Sequence, residues 1–332
     1  MTKPLVFITG ATGFIGSHTV RSTLESGYRV RLSIRRADQE SILRDRYIDY
    51  KDSLDFVIIP DLSDSAFFKT ALQDVEYIFH LASPMPGHGV DVYHDYVNPA
   101  VNATLSILRA AQSFPKIKKV IIMSSALALA PIDAVMTKKL LIQENTGKQV
   151  NVDLSMDFPE GFAGHGLKYA ASKIKAHDAM REFLKTNALH FTVASFHPTF
   201  VLGDSMIQTS AEDVGGMNAL FWSSLGMEKP LIANAWVHVR DVADAHVKAL
   251  NADFESGKEF ILSCPALSWD EVISYITENY PQLDGQLQGP FEEATPIQTP
   301  AADQILNMRW RSARSIIDDV VKQQLAFRAG RS

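Results

Sequence analysis

Residues 5–16 read Leu5-Val6-Phe7-Ile8-Thr9-Gly10-Ala11-Thr12-Gly13-Phe14-Ile15-Gly16. A short apolar run without polar alternation that ends in glycine is a strand buried on both faces. A turn spaced G-x-x-G-x-x-G follows it. A helical run from Phe14 to Glu25 comes next, and Gly27 stops it. Gly10 permits the tight turn, Gly13 lets a pyrophosphate approach the backbone, and Gly16 lets helix and strand pack closely. The helix N-terminus adds unpaired N–H groups and a partial positive charge. The turn, with Thr12, Phe14 and Ile15 among its glycines, is therefore expected to cradle a dinucleotide.

The same alternation continues outward. Strands are expected at Arg29–Ile34, Phe56–Pro60, Tyr77–Leu81, Lys119–Met123 and Phe191–Phe196. Helices are expected near Ser63 to Leu72, Tyr93 to Ser113 and Leu167 to Lys185, with Pro99 near a start or a kink. Such a chain folds as an α/β protein, a Rossmann-type doubly wound parallel sheet whose ligands lie beyond the carboxyl ends of the strands. After Val201 the pattern loosens around Gly215-Gly216, Gly226 and Pro230. A strand at Trp236–Val239, a helix at Asp241–Asn251, a strand at Phe260–Leu262 and helices at Ser268–Asn279 and Ser312–Leu325 follow. The expected division is a dinucleotide-binding domain of residues 1–202 and 235–264, with a smaller, mostly helical substrate lobe of residues 203–234 and 265–332.

An NAD site places a carboxylate about 20 residues beyond the glycines, where it bonds the ribose 2′-hydroxyl. Here Arg35-Arg36 occupy that place. Two guanidiniums suit a 2′-phosphate, which they grip with forked, charge-assisted bonds. The expected cofactor is therefore NADP(H). Asp61 and Leu62, after the third strand, are placed to meet the adenine, and Leu81, Ala82 and Ser83 end the fourth strand at the same crevice.

Composition excludes other classes. Of 332 residues, 46% are hydrophobic and 21% charged, which is globular rather than disordered. With 32 basic and 38 acidic residues the net charge is −6, a poor footprint for sequence-independent nucleic-acid binding. The single cysteine, Cys264, leaves no internal disulfide and fits a reducing cytosol. No secretory signal is evident, and the longest apolar stretch, Val120 to Ile132, is broken by Ser124, Ser125 and Pro131. A cytoplasmic protein, monomer or homodimer, with neither membrane nor nucleic acid as partner is expected.

The chemistry is suggested by Tyr169-Ala170-Ala171-Ser172-Lys173, which sets a phenol and an ammonium one helical turn apart on one face. A free phenol has a pKa near 10 and is a weak acid–base at neutral pH; a neighbouring ammonium is expected to lower it. Ser125, at the mouth of the fifth strand, is placed to hydrogen-bond a substrate oxygen.

TGATGFIG, Ser124-Ser125, YAASK and His197-Pro198-Thr199 together resemble the extended short-chain dehydrogenase/reductases over essentially the whole chain. The stretches Gly27 to Arg31, Pro99 to Leu105, Trp236 to Val242 and Trp310-Arg311-Ser312 resemble the branch of dihydroflavonol reductases and microbial aldehyde or ketone reductases. The lead-in Gly164-His165-Gly166-Leu167-Lys168 departs from the cinnamoyl-CoA reductases. The resemblance implies that Tyr169 donates a proton, Lys173 tunes Tyr169 and binds the nicotinamide ribose, Ser125 orients a carbonyl, and Pro198 lies beside the nicotinamide. It implies an NADPH-dependent reductase of a small-molecule aldehyde or ketone. The alternatives are an epimerase or dehydratase that recycles its cofactor, and a non-catalytic NADP sensor.

Four weaker features complete the reading. His238, Asp241, Asp244 and His246 do not share one helical face and are read as first-turn carboxylates and structural histidines rather than a metal site. His80, ending a strand, is read as a satisfied structural histidine. Met85, Pro86, His88, Phe162, His165, Met206, Phe221 and Trp222 are candidates to line a substrate pocket. The segment from residue 131 to residue 166 carries no legible conformation.

Overall fold

The computed structural model describes residues 3–83, 89–132, 134, 142–283, 285–291, 293–294 and 296–330. Seven parallel strands form the central sheet in the order β3 (Leu54–Ile58), β2 (Arg29–Ile34), β1 (Leu5–Thr9), β4 (Tyr77–His80), β5 (Lys119–Met123), β6 (Thr192–Pro198) and β9 (Lys258–Leu262). The order reverses between β1 and β4, which opens a crevice at their carboxyl ends.

Period-two alternation explains why both faces are covered. Val6 and Ile8 of β1, Phe79 of β4, Ile121 of β5 and Phe196 of β6 enter one core. Leu5 and Phe7, Ile78, Val120 and Val193, their neighbours along the same strands, enter the other. The first face is closed by α1 (Phe14–Glu25), whose Val20 and Leu24 join this core with Val242, Ala245 and Ala249 of α7 (Val239–Asn251). The second is closed by α3 (Phe68–Ala71), α4 (Asn98–Ala111) and α5 (Gly161–Thr186) through Phe68, Ile107, Leu108, Met180 and Phe183. Each fully buried side chain of this size contributes about 1.5–3 kcal/mol. Pro99 sits in the first turn of α4, where its missing N–H costs nothing.

The strand expected at Trp236–Val239 is present, outside the main sheet. Only Trp236–His238 (β8) is extended, and it pairs in parallel with β7 (Phe200–Leu202), apart from the main sheet. Val201 and Val237 face the first main core, while Leu202 and Trp236 face a third. This small sheet thus joins two cores. The third core holds α6 (Gly216–Leu225), α8 (Trp269–Asn279) and α10 (Ala313–Ala329) around Phe221, Trp236 and Trp269. Phe221 stacks on Trp269 at 6.2 Å and meets Trp236 edge-on at 5.4 Å. Ser268 and Glu271 form a capping box at the start of α8, and Ser312 caps α10. Among the described residues, no helix is long and apolar enough to cross a membrane.

Arg311, read from the sequence only as part of a family-like stretch, pins the third core to α7. Its guanidinium pairs with buried Asp241 and, at 2.9 Å, with Asp244, while its backbone N–H donates to Asp241 at 2.9 Å. The carboxylates held to be simple first-turn charges are therefore partners of one arginine. Burial pushes the Asp241 carboxyl up, and Arg311 opposes that. Arg311→Met leaves a buried carboxylate unpaired and is expected to cost about 2–4 kcal/mol in urea unfolding, with much of the loss restored by adding Asp241→Asn. A loss below about 0.5 kcal/mol, the range of ordinary surface substitutions, would contradict this role.

Candidate active site

The glycine turn is as tight as its spacing predicts. Gly10 has φ of +76°, and a Cβ on it would stand 2.8 Å from the Ala82 nitrogen. A Cβ on Gly16 would stand 2.0 Å from the Gly10 carbonyl oxygen. Gly13 caps α1, and no side chain occupies the first N–H groups of that helix. Thr9 Oγ1 accepts from the Ala82 N–H at 3.1 Å and bonds His80 Nδ1 at 3.0 Å, which holds the chain after β4 against the turn. His80 is thus the satisfied histidine expected, kept neutral by burial, with its pKa down to about 4. A cradle that any Cβ would fill, ahead of an uncapped helix N-terminus, fits a dinucleotide pyrophosphate.

The two arginines separate. Arg36 is exposed and pairs with Asp38 at 3.0 Å. The Arg35 backbone N–H donates to Gln39 Oε1 at 2.9 Å, which fixes the corner after β2. Asp61 accepts from the Ser63 N–H and hydroxyl, both at 2.8 Å, closing a turn. Its carboxylate is held below the usual range by those bonds and by Arg35. Leu62 packs against the second core, and Leu81, Ala82 and Ser83 are partly buried beside Gly10. Pro198, buried, ends β6 at the same end of the sheet.

The helix that carries Tyr169 and Lys173 starts six residues earlier than its sequence suggests, at Gly161. Glycines are poor helix formers and hide the first turn. Gly164 is needed there, because a Cβ would stand 1.5 Å from the Pro159 carbonyl oxygen. Tyr169 and Lys173 share one face, with the Lys173 Nζ 5.4 Å from the centre of the Tyr169 ring. Ser125 extends from the end of β5 and uses its Oγ to cap the turn Ala126–Leu129, accepting from the Leu127 N–H at 3.2 Å. Burial pushes the Tyr169 phenol up to about 12, opposed by a hydrogen bond with Ser125. Burial likewise lowers Lys173 to about 8. The expected lowering of the phenol by the ammonium is therefore outweighed by desolvation in the free protein.

His197, read from the sequence only as part of a family-like motif, and His177 and Glu259, not singled out there, lie beside these residues. His197, fully buried, reaches the Ser125 carbonyl with Nδ1 at 3.0 Å and the Ser195 hydroxyl with Nε2 at 2.8 Å. A carbonyl only accepts, so Nδ1 carries the proton and Nε2 accepts from Ser195. Burial holds this ring neutral, its pKa down to about 3. His177, two turns beyond Tyr169, meets the His197 ring edge-on at 4.8 Å and sets Nε2 3.3 Å from Glu259 Oε1. A cavity of ≈ 20 Å³, about one water, lies among Ser124, Lys173, His177 and Ser195. Their signal in the sequence was only the spacing of 169, 173 and 177 on one helix; the rest is brought together by the sheet.

Other candidates resolve variously. Met85, Pro86 and His88 lie outside the described residues. Phe221 is a fully buried core residue, not a pocket wall. Trp222 lies under the Arg328 guanidinium at 4.5 Å, Met206 packs on the first core, and Phe162 is exposed. His238, Asp241, Asp244 and His246 do not converge. His246 bonds the Val242 carbonyl at 2.7 Å, and His238 bonds Asp319 at 2.9 Å. Asp204, His238 and Asp319 do gather, but Arg240 donates to Asp204 at 2.7 Å and stands 3.4 Å from Asp319, filling the cluster with a cation.

Residues 6–262 match the family described as NAD dependent epimerase/dehydratase. The chain belongs to this family. It is similar to the ketoreductase sphI of Aspergillus fumigatus, 35% identical over 98% of this chain and 99% of that one. It is also similar to the ketoreductase CTB6 of Cercospora beticola, 29% identical over 86% of this chain and 83% of the relative. Its fold matches the yeast methylglyoxal/isovaleraldehyde reductase Gre2 solved with NADPH, at a TM-score of 0.80, 23% identity, and coverage of 98% and 99%.

Glu259 offers a test of the buried chain. Burial raises its carboxyl, but His177, the Asn145 N–H and His197 together bring it down to about 2. A lowered carboxylate stabilises the fold above its unfolded value, about 4.3, and that contribution is lost as pH falls through about 2. The difference in melting temperature between wild type and Glu259→Gln should be full at neutral pH and shrink below about pH 4.3. A pH-independent difference would show that the charge is not what stabilises.

Proposed function

We propose that Ser125, Tyr169 and Lys173 are the catalytic groups of this NADPH-dependent carbonyl reductase, acting on a small-molecule aldehyde or ketone. The observation that carries the reading is the meeting of Tyr169, Lys173 and Ser125 at the carboxyl end of the sheet that bears the Gly10–Gly16 cradle. When bound, the cofactor supplies the hydride. Tyr169 gives its proton to the oxygen of the carbonyl being reduced, and Ser125 donates a second hydrogen bond there. Lys173 favours the phenolate left on Tyr169 and holds the nicotinamide ribose. The backbone of Gly10, Thr12, Gly13, Phe14, Ile15 and Gly16 holds the pyrophosphate. Arg35, free of the Asp38 pairing that engages Arg36, grips the 2′-phosphate. Asp61 and Leu62 border the adenine, while Leu81, Ala82, Ser83 and Pro198 border the rest of the cofactor.

The third core, with residues 203–234 and 265–332, is the substrate lobe in this reading. It is supported by the Arg311 clamp, which seats these segments on α7. The buried, unpaired Cys264 supports a cytoplasmic place. The molecule acts as a monomer or homodimer. Net oxidation of NADPH by aldehydes and ketones separates this reading from cofactor-recycling epimerases and from sensors.

Tyr169→Phe keeps the ring but deletes the acid, so turnover should fall by about 10²–10⁴-fold while fluorescence titration still shows NADPH binding. Turnover within about threefold of wild type, below any general-acid contribution, with chemistry rate-limiting would assign the proton to another group. Arg35→Ala should raise the KM for NADPH by about 10–100-fold, as expected for a lost charge-assisted bond, and leave that for NADH nearly unchanged. Equal effects on both would move the 2′-phosphate contact elsewhere.

A further inference from the structure

His165 lies four residues before Tyr169, on the same face of α5 and one turn nearer the open end of the sheet. Its Nδ1 is 2.5 Å from the Tyr96 hydroxyl, and the two rings lie 30° apart. Tyr96 is itself 1% exposed, in the turn Val92–Val97 that precedes α4. That turn is firmly built. Asp91 accepts from the His94 N–H at 2.6 Å, and Asp95 accepts from the N–H groups of Val90 and Asp91 at 2.7 and 3.0 Å. Lys168, from the catalytic helix, donates to the Val90 carbonyl at 2.7 Å and locks turn and helix together. A buried tyrosine on a rigid turn thus fixes the orientation of a partly exposed imidazole beside the catalytic acid.

We propose that His165, oriented by Tyr96, is a substrate-binding residue that recognises a second oxygen on the molecule being reduced. The inference rests on the carbonyl-reductase reading and narrows its substrate class. A phenol O–H is the stronger donor of the pair, so Tyr96 donates to Nδ1 and the ring proton lies on Nε2. Nε2–H is then a single donor on the Tyr169 face of the helix. Residues one turn apart have Cβ atoms about 5–6 Å apart. The oxygen to which His165 donates is therefore a few bonds from the carbonyl that Tyr169 protonates. The favoured substrates are hydroxy ketones or dicarbonyl compounds with the two oxygens on nearby carbons, not simple alkyl ketones. A polar group built to meet such an oxygen discriminates against the isostere that lacks it, because the donor is left unpaired.

Two pairs of probes test this: 4-hydroxy-2-butanone against 2-pentanone, and 5-hydroxy-2-pentanone against 2-hexanone. Each pair exchanges a hydroxyl for a methyl group. Wild-type kcat/KM should favour the hydroxy ketone of at least one pair by about tenfold, the worth of one well-formed hydrogen bond. His165→Leu should bring that ratio to about one, and His165→Gln, which keeps a donor, should retain part of it. Tyr96→Phe, which frees the ring without removing it, should lower the ratio mainly through KM. NADPH titration of each variant checks that the cofactor site is intact. Wild type that reduces the members of both pairs equally well overturns the inference and leaves the reductase reading standing. So does a His165→Leu enzyme that keeps the preference. Wild type that oxidises NADPH with no carbonyl compound sinks both.

Discussion

Gly16 sits so close to the Gly10 carbonyl that no side chain can stand between them, and the arrangement of the molecule follows from that closeness. It seats α1 on β1 with its N-terminus at the crevice. It also sets the face that α1 offers to α7, where Val20 and Leu24 meet Ala245 and Ala249. The N-terminal turn of α7 in turn carries Asp241, which Arg311 holds, and Arg311 leads into α10 of the third core. His18 on α1 adds a second link, bonding the Asp204 carbonyl at 2.8 Å, and Asp204 pairs with Arg240. One close backbone contact thus orients the lobe through two electrostatic links.

Burial around the site keeps its deepest histidines and its phenol neutral, while Glu259 stays ionised through its partners. His80 and His197 are too deep to charge, and Tyr169 holds its proton. Lys173 is a buried cation, and its ammonium stands over the face of the Tyr169 ring. Burying a cation is costly, and the cost appears here as a pKa lowered to about 8. On the proposed reading the ribose hydroxyls and the developing phenolate relieve that cost during reaction. The free protein therefore keeps the proton on the phenol.

The glycine turn, the parallel order of strands and the Tyr169–Lys173 face were legible because each depends on local spacing. A turn needs its glycines at fixed offsets, and a helix face repeats every three or four residues. His177, Glu259 and Arg311 were not legible, because their partners come from β6, from Asn145 and from Asp241, far away in the chain. The start of α5 was missed for a different reason. Gly161, Gly164 and Gly166 lower local helix propensity, and Gly164 is required there because the Pro159 carbonyl leaves no room for a Cβ. The strand at Trp236 was legible, but not its partner, because pairing with β7 is set by the third core that Trp236 enters.

Ser125 and Tyr169 are neighbours in space but stand at opposite ends of a long excursion from the sheet. Their registration therefore depends on what anchors that excursion. Glu144 accepts from the Ile261 N–H at 2.5 Å and from the Ala301 N–H at 2.7 Å. Asn145 exchanges side-chain bonds with the Glu259 backbone, 2.9 Å in each direction. Two side chains thus supply the hydrogen bonds that a further strand would make to β9, and they cover its open edge. Glu259, pinned from the edge by Asn145, lies against His177 on the catalytic helix, while His197 on the adjacent strand holds the Ser125 carbonyl. The residues that cover the sheet edge are therefore linked, through Glu259 and His177, to the helix that carries Tyr169.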